Sequence, residues 1–223
     1  MRKSAAAIWQ LVHAERRRLA ADLSELGDEQ WRVSSLCPGW DIHDVLAHLV
    51  DTALTGRISF VRDLLIARMD FDLANENGTA RVKREEPQDT FAALREAAVL
   101  RRTPRANLAS RLVEAIVHGE DIRRPLWIAG NYPEMAVAQA LAYQLRTPVS
   151  FGGGRERVAG LRLTDRKTGG SWGQGAGVDA DSIDLLLAVS GRLVPRERLK
   201  GTGASRLVAA AAGTSSTHES GDR

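Results

Sequence analysis

Apolar residues recur every three or four positions through most of residues 5–145, and this spacing constrains the fold more than any other feature of the chain. Such spacing lines apolar side chains along one face of an α-helix. The pattern predicts six helices, over Ala5–Leu26, Trp40–Val50, about Thr52–Leu73, Thr90–Arg102, Asn107–Arg123 and Pro133–Leu145. The polar stretch Asn75–Asp89 contains Gly78 and Pro87 and predicts a loop. Amphipathic helices bury their apolar faces against one another, so the predicted fold is mainly α.

The sequence pattern changes after Arg146. Residues Val158–Leu163 alternate as a strand does, and Asp165–Gly170 supplies a turn before Ser171 and Trp172, which predicts a β-hairpin. A further helix is predicted over Asp181–Val189. We therefore expect a helical bundle over residues 1–146, a small α+β domain over residues 147–210 and a disordered tail over residues 211–223.

Composition narrows the classes of function. The 31 basic and 28 acidic residues among 223 are interleaved, with a net charge of +3, which is weak support for a nucleic-acid partner. No apolar stretch is long enough for a membrane helix and no secretory signal is visible at the start, so we expect a cytoplasmic protein without a membrane partner. Cys37 is the only cysteine, so a metal ion would be held by histidine and carboxylate.

Three side chains on two predicted helices form a candidate metal site. Glu114 and His118 are four residues apart, so they project from one face of the same helix. His48 lies on the second predicted helix, and if the two helices face each other, the three residues supply the ligands typical of a catalytic zinc with one open position. The alternative is a buried histidine satisfied by its neighbours and a simple hydrogen bond between Glu114 and His118.

Further charged residues flank these ligands. Asp44 lies one turn before His48 and Asp121 three residues after His118, and either could hold a ligating imidazole through its second ring nitrogen or be a solvated surface charge. Arg123 and Arg124 are candidates for binding a substrate carboxylate, because guanidinium groups match that geometry. Their alternative role is an interaction with the helix C-terminus.

Cys37 is a weaker candidate for chemistry. No basic residue near it in the sequence would activate the thiol as a nucleophile. Pro38 and Gly39 follow it directly and indicate a tight turn at the entry to a helix. We therefore predict a structural role for Cys37.

Three segments carry a resemblance to a known family. The segment Leu36–Leu49, LCPGWDIHDVLAHL, resembles the Cys-Pro-Gly-Trp and Ala-His-Leu signature of the mycothiol-dependent maleylpyruvate isomerase family. The segment Glu114–Leu126 resembles its second signature, and Asp184–Arg192 is similar to a Leu-Leu and Gly-Arg segment of its small C-terminal domain. The resemblance implies a DinB-like four-helix bundle followed by a small α+β domain.

The resemblance also implies an activity and a ligand set. In that family a divalent metal, usually zinc, is bound at the positions of His48, Glu114 and His118. The cofactor is mycothiol or a similar low-molecular-weight thiol, whose thiolate adds to the cis double bond of maleylpyruvate and leaves after rotation. Thiol transfer to another small-molecule electrophile is a related possibility. We expect the chain to be a monomer or a homodimer.

The rival class is a non-enzymatic binding or regulatory module that contains a metal. Residues Trp40–Phe60 could be interpreted as a helix-turn-helix motif for DNA. However, Trp40–Val50 lacks the Arg, Lys, Gln or Asn side chains that read bases, and His48 lies on its apolar side. The sequence therefore favours an enzyme over a nucleic-acid binder.

Overall fold

The computed structural model describes residues 5–104 and 106–213 and forms two compact units, Met1–Tyr132 and Pro133–Arg223. The first unit contains the helices α1 (Ala5–Asp22), α2 (Asp28–Trp31), α3 (Ile42–Leu54), α4 (Arg57–Ile66), α5 (Phe71–Val82), α6 (Pro87–Ala97) and α7 (Ala109–Arg123). The second contains α8 (Glu134–Gln144), β1 (Leu161–Asp165), β2 (Ser171–Gly173), β3 (Ala176–Ala180), α9 (Ser182–Val189) and α10 (Ala204–Ala212). The predicted mainly α fold with a small α+β part is confirmed.

Four helices, α1, α3, α6 and α7, form the bundle of the first unit. Their buried apolar faces, with residues of the α1–α2 region, make one core, which comprises Leu19, Leu23, Leu26, Trp31, Ile42, Val45, Leu46, Leu49, Val50, Phe91, Leu94 and Ile122. Because α3 packs against both α6 and α7, it is enclosed on two sides, and its apolar pattern extends nearly around the helix. This packing brings His48 of α3 next to α7.

The start of α3 is fixed by a reciprocal cap. The Asp41 carboxylate accepts a hydrogen bond from the backbone N–H of Asp44 at 2.7 Å, and the backbone N–H of Asp41 donates to the Asp44 carboxylate at 3.1 Å. This capping box satisfies two of the N–H groups that a helix start leaves unpaired. It sets where the helix begins and therefore which way His48 points.

The predicted single helix over Thr52–Leu73 is wrong, because this range contains the end of α3, all of α4 and the start of α5, with breaks at residues 55–56 and 67–70. α3 continues to Leu54, and the chain then turns at Thr55 and Gly56 before α4. The expected loop over Asn75–Asp89 is also wrong over its first half, which belongs to α5. Gly78 lies inside α5 where this helix packs on α3, and a Cβ there would have to displace the Asp51 carboxylate, so the glycine leaves room for that side chain and does not mark a loop.

The second unit contains a three-stranded sheet in the order β2-β1-β3. The predicted hairpin is present as the antiparallel pair β1 and β2, whereas the parallel pairing of β1 with β3 was not predicted. The helix α8 packs on α9 in this unit, although the sequence analysis placed residues up to 146 with the bundle. Ala211 and Ala212, expected in the tail, end α10, and the rest of the predicted tail from residue 214 lies outside the described residues.

No helix within residues 5–104 and 106–213 is long and apolar enough to cross a membrane.

Candidate metal centre

The three predicted ligands come together in the bundle. Oε2 of Glu114 lies 3.4 Å from Nε2 of His48 and 3.5 Å from Nε2 of His118. The centroids of the two imidazole rings are 4.7 Å apart, with the ring planes at 74°. One ligand atom from each of the three side chains lies within 4.8 Å of the other two, so a single cation could contact all three.

Two polar atoms of this cluster lack hydrogen bonds among the described residues. Oε2 of Glu114 is buried between the two rings and has no hydrogen-bond partner there, and neither has Nδ1 of His48. A buried carboxylate oxygen without a partner is costly in a folded protein. A divalent cation bound to Nε2 of both histidines and to Oε2 of Glu114 would remove this cost at the carboxylate, so the donor set fits such an ion.

The pKa values of the cluster follow from burial and from its neighbours. Burial lowers the pKa of His48 below its usual value, which leaves this ring neutral and able to ligate. Burial acts to raise the pKa of Glu114, but the nearby His48 ring and the charge of Arg111 outweigh it and hold that pKa far below its usual range. Glu114 is therefore an ionised acceptor.

His118 is held by a buried carboxylate. Its Nδ1 lies 2.9 Å from Oδ2 of Asp121, a side chain with no exposed surface. Burial acts to lower the pKa of His118, but the hydrogen bonds to Asp121 and Cys37 raise it to about 10. Near neutral pH the ring without a cation is therefore protonated on both nitrogens. A metal would displace the proton on Nε2, the nitrogen that faces Glu114, while the Nδ1 proton stays directed at Asp121. The predicted role of Asp121 is supported by this geometry.

Asp44 does not have the predicted role. Its carboxylate forms the capping box with Asp41 and a 2.7 Å ion pair with Lys83, because its position in the first turn of α3 directs it to the helix start. Nδ1 of His48 has no hydrogen-bond partner among residues 5–104 and 106–213, so Asp44 does not hold this ring.

The loop before α3 completes the surroundings of the cluster. Sγ of Cys37 lies 3.1 Å from Oδ2 of Asp121 and 3.8 Å from Nδ1 of His118. The indole of Trp40 meets the His48 ring edge-on, with centroids 5.3 Å apart. The backbone N–H of Leu36 donates to the carbonyl of Asp121 at 3.2 Å and ties this loop to α7.

The sequence analysis missed these contacts of Cys37. A structural role at a turn is present, since the N–H of Trp40 donates to the Cys37 carbonyl and Gly39 has a φ of +77°. However, its thiol also contacts the carboxylate and the ring of the candidate metal centre. No local pattern indicates this, because the contact depends on how the loop packs on α7, 81 to 84 residues later.

The two arginines predicted to bind substrate are engaged elsewhere. Arg123 has no exposed surface, and its guanidinium donates to Glu15 at 2.7 Å, to Asp22 at 2.7 Å and to Tyr132 at 2.7 Å. It therefore joins α7 to α1, and the expectation that it receives a substrate is wrong. Arg124 donates to Glu120 on the same helix at 2.7 Å.

A pocket opens beside Glu114 in the first unit. It is lined by Asp51, Thr52, Thr55, Phe60, Asp63, Phe71, Ala74, Asn75, Pro104, Arg111 and Glu114. Arg111 lies one turn before Glu114 on α7 and is almost fully buried. The sequence analysis passed over Arg111, although its spacing of three residues from Glu114 places both on one helix face.

Comparison with known proteins identifies the first unit. Residues 12–107 match the family model of the mycothiol maleylpyruvate isomerase N-terminal domain, a stretch that includes His48 and ends before Glu114. No curated protein matches the chain significantly. A crystal structure of the mycothiol-dependent maleylpyruvate isomerase superposes with a TM-score of 0.64 at 14% sequence identity, and covers 91% of this chain and 94% of that chain. A crystal structure of a histidine-to-alanine mutant of that isomerase gives a TM-score of 0.63 with the same identity and coverage. The resemblance stated from the sequence is thus confirmed for residues 12–107, which match the N-terminal domain of the mycothiol maleylpyruvate isomerase family.

Proposed function

We propose that this chain is a metal-dependent enzyme of the maleylpyruvate isomerase type that works with a low-molecular-weight thiol. The reaction is a cis–trans isomerisation, or transfer of the thiol to another small electrophile. The observation that carries the proposal is the convergence of His48, Glu114 and His118 around a carboxylate oxygen without a hydrogen bond. The likeness to a mycothiol-dependent maleylpyruvate isomerase supports mycothiol as the thiol.

The ligand set favours zinc among the divalent cations. Two imidazole nitrogens and one carboxylate oxygen are ligands that zinc accepts, and three protein ligands leave a fourth position open. A zinc ion bound there would stabilise the thiolate form of a thiol at the open position at neutral pH.

The chain's own residues prepare this site. Asp121 accepts a hydrogen bond from Nδ1 of His118 and so fixes the orientation of that ring. Trp40 packs against the His48 ring and restricts its rotation. Glu114 is kept ionised by the positive charge of Arg111 and by its histidine neighbours. Each ligand is thus held in place before a cation binds.

The expected partners are small molecules, a thiol and an electrophile, with no nucleic acid or membrane partner. We propose a cytoplasmic location and a monomeric or homodimeric state. The helix α3 contains no arginine, and its residues from Ile42 to Ala53 are nearly all buried, so it is not suited to reading bases.

Turnover with defined components tests the proposal. The zinc-loaded chain should isomerise maleylpyruvate only when mycothiol is present, and activity should disappear after chelation and return with zinc. Glu114→Gln should abolish turnover, because a neutral amide is a poor zinc ligand. Glu76→Gln, on an exposed position of α5, is the matched control and should retain activity.

The same experiment distinguishes an enzyme from a non-enzymatic binding or regulatory module. A chain that binds zinc but turns over neither maleylpyruvate nor a panel of electrophiles with mycothiol would contradict the enzymatic proposal. That result would favour a metal-containing binding or regulatory module.

A further inference from the structure

Some of the charged side chains that line the pocket beside Glu114 are paired with other side chains, and one is only partly paired. The carboxylates of Asp51 and Asp63, on one part of its wall, both accept hydrogen bonds from Arg81, at 2.9 Å and 3.2 Å. Arg62 also donates to Asp63 at 2.9 Å, so the two acids are paired with two cations of the fold. Glu114 is a ligand of the proposed metal centre, so it is compensated when a cation is bound there.

Arg111 is the cation of this pocket whose donors are incompletely used. Its Nη1 donates to the carbonyl of Thr52 at 3.1 Å, which links α7 to α3. Its Nη2 lies 3.9 Å from Oε1 of Glu114, too far for a hydrogen bond, and its buried Nε has no hydrogen-bond partner among the described residues. The side chain is only 7% exposed, so water compensates little of this shortfall.

The rest of the pocket indicates the kind of molecule that would use these donors. Phe60 and Phe71 offer apolar surface, and Thr55 and Asn75 offer uncharged polar groups. A guanidinium with unused N–H groups in the lining of a partly apolar pocket matches a carboxylate on a short carbon chain. Such a ligand would place its carbon chain within reach of Glu114, which lines both the pocket and the metal centre.

We infer that Arg111 is the residue that binds the carboxylate of a small organic acid in this pocket and holds it beside the metal centre. The inference rests on the proposed function, because it assigns a specificity-determining residue to the substrate of that enzyme. It replaces Arg123 and Arg124, whose side chains are engaged in the ion pairs of the bundle.

Calorimetric binding of maleate to the zinc-loaded chain tests the inference. Maleate should bind to the wild type, and Arg111→Gln should raise its Kd about tenfold or more, because a charged hydrogen bond is lost. Arg111→Lys keeps the charge but not the two parallel donors, and it should bind maleate with an intermediate Kd. The neutral diamide of maleate should show no dependence on residue 111.

Arg102→Gln is the matched control. Arg102 also donates to a carbonyl of α3, that of Leu54 at 3.1 Å, but it does not line the pocket. Its replacement removes an arginine hydrogen bond to α3 outside the pocket and should leave the maleate Kd unchanged. Thermal unfolding shows whether each variant is folded. If Arg111→Gln does not fold, the maleate Kd of Arg111→Lys is compared with that of the wild type instead.

Several results would overturn the inference. The wild type could fail to bind maleate, or a folded Arg111 variant with wild-type zinc content could bind it with the wild-type Kd. The proposed function would be contradicted by a different result, a purified chain that binds no zinc. Maleate titrations of the zinc-free chain and its Arg111 variants would then still decide whether Arg111 binds an anion.

Discussion

Asp121 acts on the candidate metal centre through His118, since its carboxylate accepts a 2.9 Å hydrogen bond from Nδ1 of that ring. Such a partner fixes the ring and raises the basicity of its second nitrogen. We expect Asp121→Asn to raise the zinc Kd about 10–100-fold, as measured by competition with a chromogenic chelator.

Asp44→Asn is the control for this prediction. Asp44 caps α3 and pairs with Lys83, so its change should cost about 1 kcal/mol of unfolding free energy and leave the zinc Kd unaltered. Equal zinc affinity in the wild type and Asp121→Asn would contradict the role given to Asp121.

His43 gives a pH dependence that is separate from the metal centre. Its Nε2 lies 2.8 Å from the Thr90 hydroxyl in the interior, and burial, with the charge of Lys83, lowers its pKa despite Asp41 and Asp44 nearby. The unfolded chain therefore binds this proton more tightly than the folded chain. The contribution of His43 to stability is present above pH about 6.5 and is lost as the pH falls through its lowered pKa.

Urea unfolding at pH 7.5 and pH 5.5 measures this effect. We expect the wild type to lose more unfolding free energy on acidification than His43→Gln, which cannot take up the proton. An equal or larger loss in His43→Gln would show that the burial of this ring does not control the acid response.

The loop before α3 positions its neighbours through one left-handed residue. Gly39 has a φ of +77°, and a Cβ there would meet no atom within 4 Å, so any cost of Gly39→Ala is conformational. We expect this variant to lose about 1 kcal/mol of unfolding free energy and to bind zinc more weakly, because the loop carries Trp40 and Cys37 to the metal centre.

Gly56→Ala is the matched control for the loop. Gly56 also has no atom within 4 Å of a built Cβ, but its φ is −100°, which alanine adopts without strain. Its unfolding free energy and zinc Kd should stay close to the wild-type values. Equal effects of the two substitutions would contradict the assigned role of the left-handed turn.

The contact between α1 and α7 depends on a buried ion pair network around Arg123. Arg123→Met leaves the buried Glu15 and the partly buried Asp22 without this partner, so we expect a loss of about 3–5 kcal/mol in urea unfolding. Arg32→Met, which breaks an exposed ion pair with Glu29, should cost less than about 1 kcal/mol. Similar losses in both variants would show that the network contributes no more than a surface pair.

At the scale of the whole molecule, the sequence predicted what depends on local periodicity. The helices α1, α3, α7, α8 and α9 follow from apolar spacing, and the pairing of Glu114 with His118 follows from one helical turn. The position of His48 opposite them agrees with the expectation stated for two facing helices. These residues were found because their spacing alone places them on defined faces.

What the sequence did not predict depends on contacts between distant elements. The break at Gly56, the helix through Gly78 and the parallel pairing of β3 are decided by packing, which overrides local preference. The same holds for the thiol of Cys37 and for the engagement of Arg123, whose partners lie about a hundred residues away along the chain.

The most direct test of the account is the zinc content of the purified chain and of its ligand variants. We predict about one zinc ion per wild-type chain, and loss of that ion in His48→Gln and in His118→Gln, because each removes one of three protein ligands. His43→Gln, which alters another buried histidine of α3, should keep its zinc. Unchanged zinc content in both ligand variants would contradict the metal centre and the enzymatic function built on it.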